Sequence, residues 1–175
     1  MKRRNEIKNL TLSAMFLALA FVMPFLTGQI QQIGAMLCPM HIPVLLCGYF
    51  CGGPWGIAVG AIAPVLRSFM LSMPPMFPKA ICMAFELATY GGVAGFLYDK
   101  LPKNKNSVYV SLFVAMIMGR LVWGVAMFAC MGFDASKFGI AAFISGAITT
   151  AIPGIILQIV CVPILVITLK RSSER

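Results

Sequence analysis

The chain has 175 residues, of which 60% are hydrophobic and 11% are charged, and its formal net charge is +9. With a mean hydropathy of +0.92, this composition excludes an ordinary soluble domain and indicates an integral membrane protein. Most of the Lys and Arg residues lie in three patches, at the N-terminus, around residues 100–105 and at the C-terminus. This placement indicates membrane orientation rather than binding of nucleic acid.

The apolar stretches predict six membrane-spanning helices, each of which takes roughly 20 apolar residues. Their predicted limits, in chain order, are 10–27, 36–52, 55–73, 79–98, 108–131 and 138–169. Gly52-Gly53-Pro54 separates the second stretch from the third, because glycine frees the backbone and proline cannot continue a helix. We therefore predict an all-α integral membrane protein with one six-helix domain over residues 1–175.

The three basic patches predict the orientation of these helices. The positive-inside rule places all three patches on the cytoplasmic side, which requires an even number of crossings between each patch and the next. Six helices meet this condition, and a single crossing between residues 36 and 69 does not. Both termini are therefore expected in the cytoplasm.

The first predicted helix carries a pair of small residues, Ala14-x-x-x-Ala18, and no charge within the membrane. Small residues at this spacing let helices approach closely in lipid. Similar pairs in later helices have the simpler interpretation of packing the bundle. The Ala14/Ala18 end of the first helix is free to contact a partner protein.

The second predicted helix begins in a segment that contains cysteines and the chain's only histidine, "LCPMHIPVLLCGYFCG", residues 37–52. Cys38 and His41 have the C-x-x-H spacing of some metal ligands. Tetrahedral zinc takes four ligands, or three and a water, and one helical turn does not supply them. We expect apolar thiols and a polar interfacial histidine here, and no metal.

Three charged residues lie inside predicted helices: Arg67, Glu86 and Arg120. Each costs about 2.5–3.5 kcal/mol at the middle of a membrane helix, so all three should face the bundle interior. The short connection over residues 72–78 makes the third and fourth helices neighbours, and Arg67 is expected to meet Glu86. One arginine then has no acidic partner, which favours an anionic ligand.

These charges and their neighbours predict a small-molecule pocket. Tyr90 shares a helix face with Glu86, and Trp123 shares one with Arg120. His41 and Gln158 are candidates for additional hydrogen bonds to a ligand. The alternative is a structural network in which Glu86 neutralises one arginine and carbonyl oxygens bind the other.

The sequence contains no P-loop motif, no H-E-x-x-H motif and no second acid inside a predicted helix. We therefore predict no catalytic residue, no resident cofactor and no ATP hydrolysis by this chain. Three other functions stay open. They are a stand-alone secondary transporter of a small polar or anionic solute, a structural membrane subunit, and an intramembrane enzyme that uses Glu86.

Over essentially its whole length the chain resembles the substrate-binding S components of energy-coupling factor (ECF) vitamin transporters of bacteria and archaea. The resemblance rests on the size, the six predicted helices and the Ala14/Ala18 pair. Its most specific part is "HIPVLLCGYFCGGPWGIAVGAIAPVLRSFM", followed by "FELATYGGVAGFLYDKL".

This resemblance implies a non-enzymatic subunit of the plasma membrane that binds a small water-soluble vitamin or precursor near its outer face. It also implies partners, a transmembrane coupling subunit that contacts Ala14 and Ala18 and two cytoplasmic ATPase subunits. The gate over the ligand would be the loop 27–39, with Gln29, Gln31 and Gln32. Pantothenate is the favoured ligand, because the two membrane arginines suit a carboxylate.

Overall fold

A computed structural model describes residues 2–27, 39–102, 104–132, 145 and 152–173 of the chain. A 3-10 helix, Met23–Thr27, extends the first α-helix, and a short π-helical turn, Met76–Ala80, precedes the fourth. The described residues form six α-helices: α1 (Lys2–Val22), α2 (His41–Cys51), α3 (Gly53–Leu71), α4 (Ile81–Lys100), α5 (Lys105–Cys130) and α6 (Ile152–Ser173). The predicted all-helical architecture is confirmed.

Five of the six helices are long and apolar enough to cross a membrane, and α2 is the exception. Its 11 residues extend over only about 17 Å, against a hydrocarbon core of about 30 Å. The stretch predicted as 36–52 is therefore helical only over His41–Cys51 within the described residues. All residues of α2 except Phe50 are buried, so protein rather than lipid surrounds this helix and its length need not match the bilayer.

The predicted break between α2 and α3 is a sharp turn at Gly52. This residue has φ +93°, a conformation that favours glycine. Its N–H donates to the Gly48 carbonyl oxygen, and the Gly56 N–H donates to the Gly52 carbonyl oxygen, both at 3.1 Å. Pro54 lies in the first turn of α3, where its missing N–H leaves no helical hydrogen bond unmade.

Helix α4 packs against α2, α3 and α5, and glycines line its contact with α2 and α3. A Cβ atom added at Gly56 would lie 2.7 Å from the carbonyl carbon of Gly91, and one added at Gly95 would lie 2.7 Å from the Cα of Gly53. No side chain fits between these backbones. The glycine pairs of α3 and α4 therefore pack the bundle itself, which brings the polar residues of α4 close to those of α2.

The contact between α4 and α5 can be tested through two thiols. The Sγ atoms of Cys82 and Cys130 lie 3.7 Å apart, and a disulfide needs about 2.05 Å, which small side-chain rotations can supply. Cys130 is partly exposed, so we expect diamide to oxidise the pair to an intramolecular disulfide. Intact mass spectrometry would show the loss of two hydrogen atoms, reversed by dithiothreitol.

The matched controls for this cross-link are Cys82→Ser, which should abolish it, and Cys161→Ser, which should not. Cys161 is a partly buried thiol on α6. Peptide mapping separates this disulfide from one between Cys47 and Cys51, whose thiols also contact each other. A native chain without a Cys82–Cys130 disulfide would contradict the arrangement of α4 and α5.

Candidate functional site

The candidate site centres on Glu86, in the second turn of α4. This residue is 2% exposed. Nη1 of Arg120, on α5, lies 2.9 Å from Glu86 Oε1, and Nε2 of His41, the first residue of α2, lies 3.5 Å from the same oxygen. The charges of the carboxylate and the guanidinium compensate each other, and a buried ion needs such a compensating charge to be tolerated. Three helices thus meet at one buried carboxylate.

Several polar atoms of this cluster can still form hydrogen bonds. Neither ring nitrogen of His41 has a hydrogen-bond partner among the described residues, and no N–H is aligned with Glu86 Oε1 despite its close ion-pair contacts. A buried polar atom without such a partner costs about 1–3 kcal/mol. The cluster is therefore able to accept further partners, as a binding site requires.

An aromatic ring forms one wall of the cluster. Tyr90, one turn after Glu86 on α4, is fully buried, and its ring packs edge-on against the His41 ring with centroids 5.0 Å apart. The Tyr90 ring also packs on Gly119 of α5, where an added Cβ would be 2.8 Å from Tyr90 Cδ2. Gly119 cannot be identified as a site residue from the sequence, because a glycine in an apolar helix carries no sign of which ring it faces.

Arg67 lies apart from this cluster. Its Nη1 donates to the carbonyl oxygen of Phe21 at 3.2 Å, and its Cζ lies 5.6 Å from the centre of the Phe25 ring. The expected pairing of Arg67 with Glu86 is therefore wrong: within the described residues, Arg120 is the arginine that pairs with Glu86. Arg67 instead ties α3 to the end of α1, through a backbone carbonyl that no sequence pattern distinguishes.

Among the described residues, Gln158 is the one Asn or Gln whose side chain is buried. It is 0% exposed, and neither its amide nitrogen nor its amide oxygen has a hydrogen-bond partner within the part of the chain that the structure describes. Its helix, α6, packs against α2 and α5, which carry His41 and Arg120. Trp123 lies about one turn after Arg120 on α5 and is partly buried.

Several predicted features lie outside the described residues. They are Cys38 and the gate residues Gln29, Gln31 and Gln32. The gate over 27–39 accordingly stays a prediction. Among described residues, no three His, Cys, Asp or Glu side chains converge as a set of metal ligands.

Ala14 and Ala18 are both exposed, on one face of α1. Met15 and Leu19 extend this face, while Phe16 and Ala20 on the opposite side are buried in the bundle. The surface is therefore apolar, with small residues at its centre and larger ones beside them. In lipid, such a surface permits close approach of another helix.

The surface of α3 carries an apolar groove of about 370 Å³. Six apolar residues line it: Ala61, Ile62, Val65, Leu66, Phe69 and Met76. A groove without polar groups cannot orient a water-soluble ligand. The polar cluster around Glu86 is the better candidate for the functional site.

The chain thus has the architecture of a multi-pass membrane protein with a polar site buried among its helices. The family model for the ECF transporter, substrate-specific component, matches residues 8–166, and the chain belongs to this family. No curated protein and no solved structure matches it significantly. Family membership makes the chain a transporter subunit of the prokaryotic plasma membrane, not an enzyme, that works with an ECF module and a substrate.

Proposed function

We propose that the chain captures a small water-soluble vitamin or vitamin precursor at the outer face of the membrane, for uptake driven by separate ATPase subunits. In this proposal residues 1–175 form a single six-helix domain with both termini in the cytoplasm. The observation that carries it is the cluster of Glu86, Arg120 and His41, buried where three helices meet.

The composition of this cluster supports ligand binding over a purely structural role. A structural ion pair is best tolerated when its remaining hydrogen bonds are satisfied within the protein. Here both nitrogens of His41 and the amide of Gln158 lack partners among the described residues. A bound solute would supply those partners, and Tyr90 would pack against its apolar surface.

The contacts of the two membrane arginines do not support pantothenate as the vitamin. Glu86 compensates Arg120, and Arg67 binds the Phe21 carbonyl oxygen. The argument that these arginines suit a carboxylate therefore does not hold.

We further propose that the exposed Ala14/Ala18 face of α1 contacts the transmembrane coupling subunit. Small side chains at its centre permit a close helix contact, and an apolar surface suits a partner that is itself in the membrane. The face lies on the opposite side of α1 from the buried Phe16. A change there should leave the ligand site intact.

Replacing Ala14 or Ala18 with tryptophan tests this division of roles. We expect ATP-dependent uptake to be lost in vesicles that contain the coupling subunit and ATPases, because the indole prevents close contact of the helices. Ligand affinity of the purified variant should stay within about twofold of the native value, since interface changes act locally. The measurements are uptake of the ligand found to co-purify and its binding by calorimetry.

The matched control is Ala129→Trp, which adds the same bulk to an exposed alanine of α5 and should preserve uptake. Loss of ligand binding in the Ala14 and Ala18 variants would contradict the assigned surface. Uptake by the native chain alone, without partner subunits, would instead favour a stand-alone secondary transporter.

A further inference from the structure

We propose that the site selects an electrically neutral ligand with a hydrogen-bond donor and acceptor side by side, as in a lactam, a cyclic ureide or a primary amide, over a carboxylate. This inference rests on the proposed function, and it concerns the same site. It derives from the charge balance of the described cluster and from the types of polar atom that the cluster leaves without partners.

The first argument is the charge balance. Glu86 carries one negative charge and Arg120 one positive charge, and their closest atoms are 2.9 Å apart. These two opposite charges compensate each other, and a buried ion is tolerated when it is paired in this way. The ion pair of Glu86 and Arg120 therefore sums to zero. A ligand carboxylate would add a negative charge next to Glu86, whose contacting guanidinium, on Arg120, is already paired with Glu86.

Arg67 does not change this balance. It is the one arginine of α3, and its guanidinium is engaged by the Phe21 carbonyl oxygen and the Phe25 ring. Both contacts are on the α1 side of α3, whereas Glu86 is contacted from α5 and α2. The guanidinium of Arg67 therefore joins α3 to α1 and lies outside the cluster around Glu86.

The second argument is the set of polar atoms without partners. An imidazole ring has two nitrogens that form hydrogen bonds, and a side-chain amide has both donors and an acceptor. In the described structure the polar atoms without a hydrogen-bond partner include the ring nitrogens of His41 and the amide nitrogen and oxygen of Gln158. A carboxylate ligand needs donors alone. This mixed set instead matches a group that both donates and accepts.

The third argument concerns the position of Gln158. It lies six residues after the start of α6, and Glu86 lies five residues after the start of α4, or about 9 and 8 Å along their helices. With the helices alternating in direction, both starts are at the same end of the bundle. The buried face of α6, which includes Val162 and Val166, packs towards α2 and α5. We therefore assign Gln158 to the wall of the same site.

The test uses the full-length purified protein and matched probes that share a scaffold and differ in a carboxylate. The pairs are uracil and orotate, nicotinamide and nicotinate, and panthenol and pantothenate. Calorimetry and thermal shift are measured for each probe, and native mass spectrometry identifies any ligand that is retained through purification. We expect the retained compound to be neutral at pH 7, and the neutral member of any pair that binds to be at least about tenfold tighter.

A variant of Gln158 separates the contribution of its polar atoms to ligand binding from their contribution to folding. Gln158→Leu keeps the volume of the side chain and removes its buried polar atoms, so the melting temperature should hold or rise while affinity for the neutral ligand falls about tenfold. Ile156→Leu, at an exposed position of the same helix, should change neither quantity. Unchanged affinity in Gln158→Leu would remove Gln158 from the site and overturn the mixed donor and acceptor set.

The remaining outcomes distinguish this inference from the proposed function. A retained anionic compound, or tighter binding of the carboxylate members, would overturn the neutral ligand and leave the vitamin-binding subunit in place. No retained compound, no binding by any probe and no uptake with the ECF module would overturn both.

Discussion

Replacing Gly91 with alanine should lower the melting temperature of the protein by about 2–8 °C, because it forces apart the backbones of α3 and α4. A Cβ at this position would lie 2.6 Å from the carbonyl carbon of Gly56 and 2.8 Å from its Cα. Backbone atoms of a helix cannot rotate away as a side chain can. Because backbone meets backbone, we expect an overpacking cost in the upper part of the usual range, about 2–3 kcal/mol, which exceeds the gain of about 1 kcal/mol in helix propensity from glycine to alanine.

The neighbouring residue provides the control. A Cβ at Gly92 would meet Cγ1 of Ile57 at 2.6 Å, a similar distance, but Ile57 is 41% exposed and its side chain can turn outwards. Gly92→Ala should therefore change the melting temperature by less than about 2 °C. Equal effects of the two variants, measured by thermal unfolding in the same detergent, would contradict the close backbone contact of α3 and α4.

Replacing Glu86 with glutamine should destabilise the protein by about 3 kcal/mol and abolish ligand binding. The change keeps the shape of the side chain and removes the charge that compensates Arg120. The Arg120 side chain is 15% exposed and so is not fully buried, and the expected cost therefore lies at the lower end of the range for a broken buried pair. The measurements are the free energy of unfolding in detergent micelles and the affinity for the co-purifying ligand.

The double variant Glu86→Gln with Arg120→Met separates charge from packing. Removing both charges leaves no uncompensated ion, and buried pairs replaced by neutral groups are often neutral or stabilising. The double variant should therefore be more stable than Glu86→Gln alone, although it too should fail to bind ligand. If the double variant were the less stable of the two, Glu86 would not be the group that compensates Arg120.

The sequence alone predicted the helical class, the six helices found among the described residues and the break at Gly52. Each of these follows from properties of short segments: the length of an apolar run, the distribution of basic residues, and a Gly-Gly-Pro turn. The length of α2 did not follow, because apolar composition does not distinguish a helix in lipid from a helix surrounded by other helices. Only the bundle shows that α2 is buried along nearly its whole length.

For the site, the sequence identified which residues are unusual, and the tertiary structure decided their partners. The cost of burying a charge made Arg67, Glu86 and Arg120 conspicuous in any apolar helix. Which arginine meets Glu86 depends on how the helices rotate and how closely they pack. The glycine contacts that set α4 against α2 and α3 bring His41 to Glu86, and Arg67 binds a carbonyl oxygen that every residue possesses. Segment composition thus determined the class of the protein, whereas contacts between distant segments decided which of its charges meet.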